Sequence, residues 1–384
     1  MSRTTSLPVL MYHYISRHED SISVSPDLFA GHCEKLAKAG WHGVSMAEAE
    51  AYFLHGEDLP PKSCLITFDD GYLDNYVHAW PILRRYGHKA VIFAVSGRME
   101  EGETCRPTLA DVWSGALAAN DLPRVDAPFI RHANGYEIRD DLFCNWAEAR
   151  AMEESGVMAV ASHTYGHRGV CVNDDYKGFF LPERKGRTFH DPENVFPGMP
   201  KFVMGPGLME RAFVMDPELA AKIKALVPQN ERDAFAFSQN RDAMRSLEDL
   251  AASYAGRLGR METDEEMANR MRAEIMKGKS VLEQGLGHPV ASLCWPWGAY
   301  NQLSLSLARE AGFSVFFTTR QGPNPPGSPL AVHRFKAKAN PPSWLLNRVR
   351  VYASSLLAAL YAKIQMRTPG KNKGKRKSFV VRNQ

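Results

Sequence analysis

The sequence predicts an α/β protein whose parallel sheet, open or closed into a barrel, carries its helices on the outside. Three observations point there. Short apolar runs alternate with helix-like stretches over residues 7–170, and the same rhythm returns after residue 265. With 384 residues the chain is long enough to bury a full core. Finally, no internal repeat replaces this alternation with a solenoid or array.

Each element has a local reason. "PVLMYH" (8–13) reads as a strand. "SPDLFAGHCEKLAKAG" (25–40) reads as a helix: Ser25 can cap it, Pro26 suits its first turn, Phe29, Cys33 and Leu36 share a face, and Gly40 ends it. "SCLITF" and "KAVIFAV" are strands, and between them "DNYVHAWPILRRYG" is a helix expected to be interrupted at Pro81. "NWAEARAMEESG" is a helix from an Asn145 cap to Gly156, followed by a strand opening "VMAVASHTYGH". Residues 171–264 break the rhythm with Pro, Gly, Met and charge and hold two helical stretches, at 217–227 and 241–256. They read as an insertion riding on the main fold, a lid or specificity region over its mouth. The alternation resumes with a helix at 264–287, the strand and turn "VASLCWPWG", a helix at 301–312 and the strand "FSVFFTT". The expected organisation is therefore barrel residues 1–170 and 265–340, the insertion 171–264, one amphipathic helix over 341–367 and a basic tail, 368–384.

Composition narrows the class. Apolar residues at 44% and charged residues at 23% are ordinary for a soluble globular protein. Cysteines 33, 64, 105, 144, 171 and 294 form no CxxC pair or cluster, which suits reduced thiols in a cytoplasmic protein. The N-terminus has no long apolar stretch of the secretory type. The net charge of +4 is local: residues 367–384 hold seven Lys/Arg and no acid, leaving 40 basic against 43 acidic residues before them. A nucleic-acid-binding body is thus not expected. The uncharged core of the last helix, 351–362, is about 18 Å long, against roughly 30 Å of bilayer hydrocarbon. With the basic residues behind it, 343–384 is expected to lie on an anionic membrane surface, on the cytoplasmic face; a terminal helix packed on the body is the plainer alternative.

Chemistry concentrates at two strand ends. Leu65, Ile66 and Phe68 lead into Asp69 and Asp70, and Gly71 turns the chain out. Asp-Gly is also ordinary turn chemistry. Neighbouring side chains on a strand face opposite sides, so two adjacent acids suit two different tasks. "SHTYGH" supplies His163 and His167 four residues apart. If that segment is helical, both imidazoles share one face, spaced for one divalent ion. Two His and one Asp make a catalytic metal site with open positions, and the second carboxylate is left as a base.

"TFDDG" (67–71), "SHTYGH" (162–167) and "WPWG" (295–298) resemble the first three motifs of the polysaccharide deacetylases, the NodB-homology carbohydrate esterases. The resemblance covers roughly 7–170 and 265–337. It implies a distorted (β/α)7-type barrel and a metal-dependent hydrolase removing N-acyl groups from sugars, with one divalent ion, zinc expected and Co2+, Ni2+ or Fe2+ as alternatives. Carried over, it makes Asp69 the catalytic base, Asp70, His163 and His167 the metal ligands, and the Trp297 N–H an oxyanion donor.

Two departures follow. An arginine that most members carry near the third motif is replaced by Cys294. The opening "LMYHYIS" resembles the poly-N-acetylglucosamine deacetylase branch, which makes His13 the general acid. "AVHRF" offers His333 as a competing acid and Arg334 as a partner for Asp69 in place of the missing arginine. Tyr72, Trp295 and Tyr300 are candidates for stacking on sugar rings, with core packing as the alternative for each. The expected substrate is a glycan or a lipid-linked sugar intermediate. The rivals are hydrolysis of a formamide or cyclic amide on the same fold, and a non-catalytic glycan-binding protein.

Overall fold

The computed structural model describes residues 5–18, 20–126, 129–132, 135–182 and 190–367. Seven parallel strands build the body: β1 (Val9–Tyr12), β2 (Ser63–Asp70), β3 (Ala90–Ala94), β4 (Met158–Ser162), β5 (Ser292–Cys294), β6 (Val315–Phe317) and β7 (Phe335–Lys336). Their spatial order is β6-β5-β4-β3-β2-β1-β7. Val332, just before β7, bridges Phe317 of β6, while Phe335 pairs with Leu10 of β1. The sheet therefore closes on itself as a seven-stranded barrel, with one very short seam.

The helices form where their caps and apolar faces require. Pro26–Lys38 starts on the Ser25 cap and buries Phe29, Cys33 and Leu36; Trp146–Glu154 starts on an Asn145 capping box. Pro81 does not interrupt its helix. Asn75–Ala79 makes a π-helical turn and Trp80–Tyr86 continues as α-helix with Pro81 in its first turn. That position needs no N–H, so the wide turn absorbs the proline. Tyr12, Phe29 and Phe68 pack together between sheet and helix. Phe93 and Phe317 meet with ring centroids 4.8 Å apart.

Between β4 and β5, a hairpin (Gly169–Phe179 with Pro200–Pro206) leads to helices Pro217–Leu226, Glu231–Gln239 and Arg241–Ala252. The middle helix was not expected from the sequence. Phe179, Leu181, Leu219, Ile223, Val227, Leu247 and Tyr254 give this region its own apolar cluster. The chain then rejoins the barrel through the long helix Asp264–Leu286.

The single C-terminal helix expected over 341–367 is two helices, Pro342–Tyr352 and Ser355–Arg367. Ser355 donates to the Thr5 carbonyl through its hydroxyl (2.6 Å) and to Thr5 Oγ1 through its amide (3.2 Å), which fixes the bend. The first helix buries Leu345, Leu346, Val349 and Tyr352. The second buries Ala358 and Ala362 but exposes Leu356, Leu357, Leu360 and Ile364. Among the described residues no helix is long and apolar enough to cross a membrane. The basic tail 368–384 lies outside the described residues.

Candidate active site

Functional groups gather where parallel strands end, because side chains and loops from several strands meet there. His13 follows β1, Asp69 and Asp70 end β2, His163 follows β4 and Cys294 ends β5. Thr67 and Asp69 both touch Arg334, so they face the barrel interior, while Phe68 packs toward the helices. Strict alternation would send Asp70 outward. Instead Asp70 adopts φ 78°, and its Oδ1 stands 3.7 Å from Nε2 of both His163 and His167. The two acids thus serve one pole of the barrel, not opposite faces.

"SHTYGH" is a loop, not a helix, so the helical argument for its spacing does not apply. Left-handed φ values at Thr164 (70°) and His167 (51°) fold it so that both imidazoles converge. Among the described residues, Lys62, Asp70, Thr164, His167 and Trp297 are the non-glycine residues with positive φ, and four of these five lie in the site. Such backbone costs about 1–3 kcal/mol each and persists where surrounding contacts enforce it. Gly298 completes the third motif: at φ 68° a Cβ there would lie 2.3 Å from Thr319 Oγ1.

A hydrogen bond sets the tautomer of His163: its Nδ1–H donates to the Cys294 carbonyl (2.7 Å), leaving the Nε2 lone pair toward Asp70. His167 Nδ1 pairs with His190 Nδ1 at 3.0 Å, which orients its Nε2 toward Asp70. Burial pushes both imidazoles below the ordinary histidine range, and His163 and His190 push His167 further, so neither ring is cationic at neutral pH. Asp70 Oδ1 is buried with no hydrogen-bond partner among the described residues. Two atoms bound tetrahedrally at about 2.0–2.2 Å lie roughly 3.3–3.6 Å apart, close to the spacing here. An unpartnered carboxylate oxygen facing two neutral imidazole nitrogens fits a divalent cation.

Arg334 rises through the barrel interior beneath Asp69. Its Nη1 and Nη2 donate to Asp69 Oδ1 and Oδ2 at 2.6 and 2.8 Å, its Nε to the Thr318 carbonyl, and Nη2 also lies 2.9 Å from Cys294 Sγ. Burial raises the Asp69 carboxyl, but Arg334, then His163 and His13, more than offset it and hold the group below the usual carboxylate range. Burial pushes the Cys294 thiol well up, so it stays neutral beside this pair. His13 Nε2 stands 3.8 Å from Asp69 Oδ2.

The other candidates separate. His333 turns away, its Nδ1 3.0 Å from the Pro323 carbonyl, because adjacent residues on an extended segment alternate and Arg334 takes the inward direction. Trp295 is fully buried between Tyr300 and Phe316, and Tyr72 is buried between Tyr14 and Phe143, so neither ring offers a face to a sugar. Tyr300 is half-buried with one face taken by Trp295. The exposed ring is that of Trp297 (39%), 4.5 Å from His167 and 5.2 Å from His190 between centroids. His190 escaped sequence reasoning: it lies in an irregular stretch with no ligand spacing.

Fold and site together define a closed parallel barrel with a buried two-histidine, one-carboxylate cluster at the C-terminal ends of its strands. Residues 56–181 match the family model described as polysaccharide deacetylase. The chain is 40% identical over 93 residues to YxkH of Bacillus subtilis (strain 168), a match spanning 24% of this chain and 33% of that protein. It is 28% identical over 157 residues to the poly-beta-1,6-N-acetyl-D-glucosamine N-deacetylase of Escherichia coli (strain K12), spanning 40% of this chain and 19% of that one. These curated relatives are thus matched over a third of their length or less. Two solved structures share the fold. The de-N-acetylase from Aggregatibacter actinomycetemcomitans has a TM-score of 0.57 at 19% identity, over 89% of this chain and 99% of that chain. The BpsB deacetylase domain from Bordetella bronchiseptica has 0.52 at 22% identity, over 87% and 96%. Over residues 56–181 the chain is thus similar to the polysaccharide deacetylases, and the solved structures share the barrel fold described above.

Proposed function

We propose that this chain is a metal-dependent glycan N-deacetylase, converting an N-acyl amino sugar and water into a carboxylic acid and a free amine. The observation that carries this is the unpartnered Asp70 Oδ1 facing Nε2 of His163 and His167. These three residues would hold the ion, zinc first. When bound, a divalent ion supplies Lewis acidity toward an acyl carbonyl and toward water. Asp69, kept ionised by Arg334, accepts the proton of the attacking water. The Trp297 N–H donates to the carbonyl oxygen as negative charge develops on it. His13 delivers a proton to the departing nitrogen as the C–N bond breaks. The activity named for the E. coli relative makes β-1,6-linked N-acetylglucosamine the first substrate to try. The exposed Trp297 ring is the platform for a sugar face.

The deciding experiment compares wild type with Asp69→Asn for metal content and acetate release. The variant is expected to keep its metal and lose about 10²–10⁴-fold in turnover. Equal turnover in the two proteins would refute the assigned base.

The second element of this reading is location. Leu356 (78% exposed), Leu357, Leu360 and Ile364 form an apolar exposed face on the last helix, and seven basic residues lie in 367–384. This face rests on an anionic membrane, on the cytoplasmic side, where the substrate is a lipid-linked glycan intermediate. Full-length protein should co-sediment with phosphatidylglycerol vesicles but not with phosphatidylcholine vesicles. Leu356→Ser/Leu360→Ser/Ile364→Ser should stay in the supernatant with both; unchanged sedimentation would remove the membrane from this account.

A further inference from the structure

The loop 163–167 carries two left-handed residues, and its backbone groups must find partners outside any regular element. Its carbonyls are taken from one side. The amides of Ser96 and Gly97 donate to Thr164 and Tyr165 at 3.0 and 2.9 Å, and Arg98 Nη2 donates to Gly166 at 2.8 Å. Three of its donors are taken from the other side by a single atom. Glu274 Oε1 accepts from the Thr164 hydroxyl (2.7 Å), the Gly166 amide (2.7 Å) and the His167 amide (3.0 Å). Glu274 lies on the helix Asp264–Leu286, more than a hundred residues beyond the loop and past the whole insertion. One turn further along, Gly278 lets this helix press against the loop: a Cβ there would lie 2.7 Å from both Thr164 C and Tyr165 N. The Gly278 carbonyl also accepts from the Ser96 hydroxyl at 3.0 Å, tying the two sides together.

We propose that Glu274 is the positioning residue of the histidine loop, holding the backbone of Thr164 and His167 in the conformation that presents both imidazoles to Asp70. Glu274 hydrogen-bonds to neither ring and acts through the Thr164 hydroxyl and the Gly166 and His167 amides. A free loop would have to find this conformation against a backbone cost of about 1–3 kcal/mol at each left-handed residue. The carboxylate removes that search before any ion arrives. The inference rests on the reading of Asp70, His163 and His167 as metal ligands, and the two fail separately.

The first arm needs no metal. Hydrogen exchange of the full-length apo protein should show the Gly166 and His167 amides exchanging at least tenfold faster in Glu274→Ala than in wild type, with the β3 amides unchanged. The second arm titrates Co2+ and follows its visible absorption. Glu274→Ala should weaken affinity by about 10–100-fold, the range for residues that orient ligands. Glu274→Gln, whose amide oxygen still accepts from the three donors, should lose less than tenfold. Gly278→Ala, which pushes the helix off the loop, should reproduce the loss if Glu274→Ala fails to fold. Unchanged exchange at both amides, or wild-type Co2+ affinity in Glu274→Ala and Gly278→Ala, would overturn the proposal. Faster exchange with no Co2+ binding even in wild type would leave the loop clamp standing and overturn its role in metal binding.

Discussion

Replacing Arg334 by methionine leaves the Asp69 carboxylate in the barrel interior without its partner. The two side chains are almost wholly buried, and they share a bidentate pair at 2.6 and 2.8 Å. Breaking such a pair by truncating one member costs about 3–5 kcal/mol, because the remaining charge stays desolvated. At roughly 2–4 °C per kcal/mol for domains of moderate size, the melting temperature should fall by about 6–20 °C. The same change alters the titration of Asp69. In wild type its carboxyl lies below the ordinary value near 3.9, so its contribution to stability is complete above that pH and is lost as pH falls through the lower folded value. Without Arg334 only His163 and His13 oppose the burial effect and the carboxyl rises, so the acid limb of acetate release moves to higher pH. Asp69→Asn/Arg334→Met removes both charges and should recover much of the lost stability while remaining inactive. Thermal unfolding of wild type and both variants, with pH–rate profiles of wild type and Arg334→Met, tests this. An Arg334→Met protein with an unshifted acid limb and an unchanged melting temperature would refute the argument.

Other perturbations have equally definite outcomes. His190→Ala removes the partner of His167 Nδ1 and should lower metal affinity by about 10–100-fold, read by competition with a chromophoric chelator. Gly298→Ala forces a Cβ against Thr319 and a side chain into φ 68°, so thermal unfolding should show a loss of about 1–3 kcal/mol, with acetate release reduced as the Trp297 amide shifts. Leu356→Ser should leave the melting temperature nearly unchanged, within about 0.5 kcal/mol of stability, because its side chain is 78% exposed.

The parts of this architecture legible in the sequence are those whose cause is local. Ser25 and Asn145 announce their helices because capping acts over three residues, and "LITFDDG" reads as a strand meeting a turn. The site is less legible because its geometry comes from backbone angles that no residue type announces. Thr164 and His167 are left-handed without being glycine, so a helix was the natural expectation for a four-residue histidine spacing. Burial of Trp295 and Tyr72 depends on Phe316, Tyr14 and Phe143, which the fold delivers from other segments. Likewise, the break after Tyr352 contains neither Gly nor Pro, and the hydrogen bonds made there go to Thr5, far away in sequence. Glu274 looks like any acid on a long amphipathic helix, and only its three donors distinguish it.

The short seam that closes the barrel also orders events in time. A ribosome releases the residues at 69, 70, 163 and 167 long before it releases Arg334, which lies between the bridging Val332 and β7. A growing chain therefore holds Asp70, His163 and His167 while Asp69 still lacks Arg334 and the ring is still open. The partner of Asp69 thus belongs to one of the last pieces of the cylinder to be threaded.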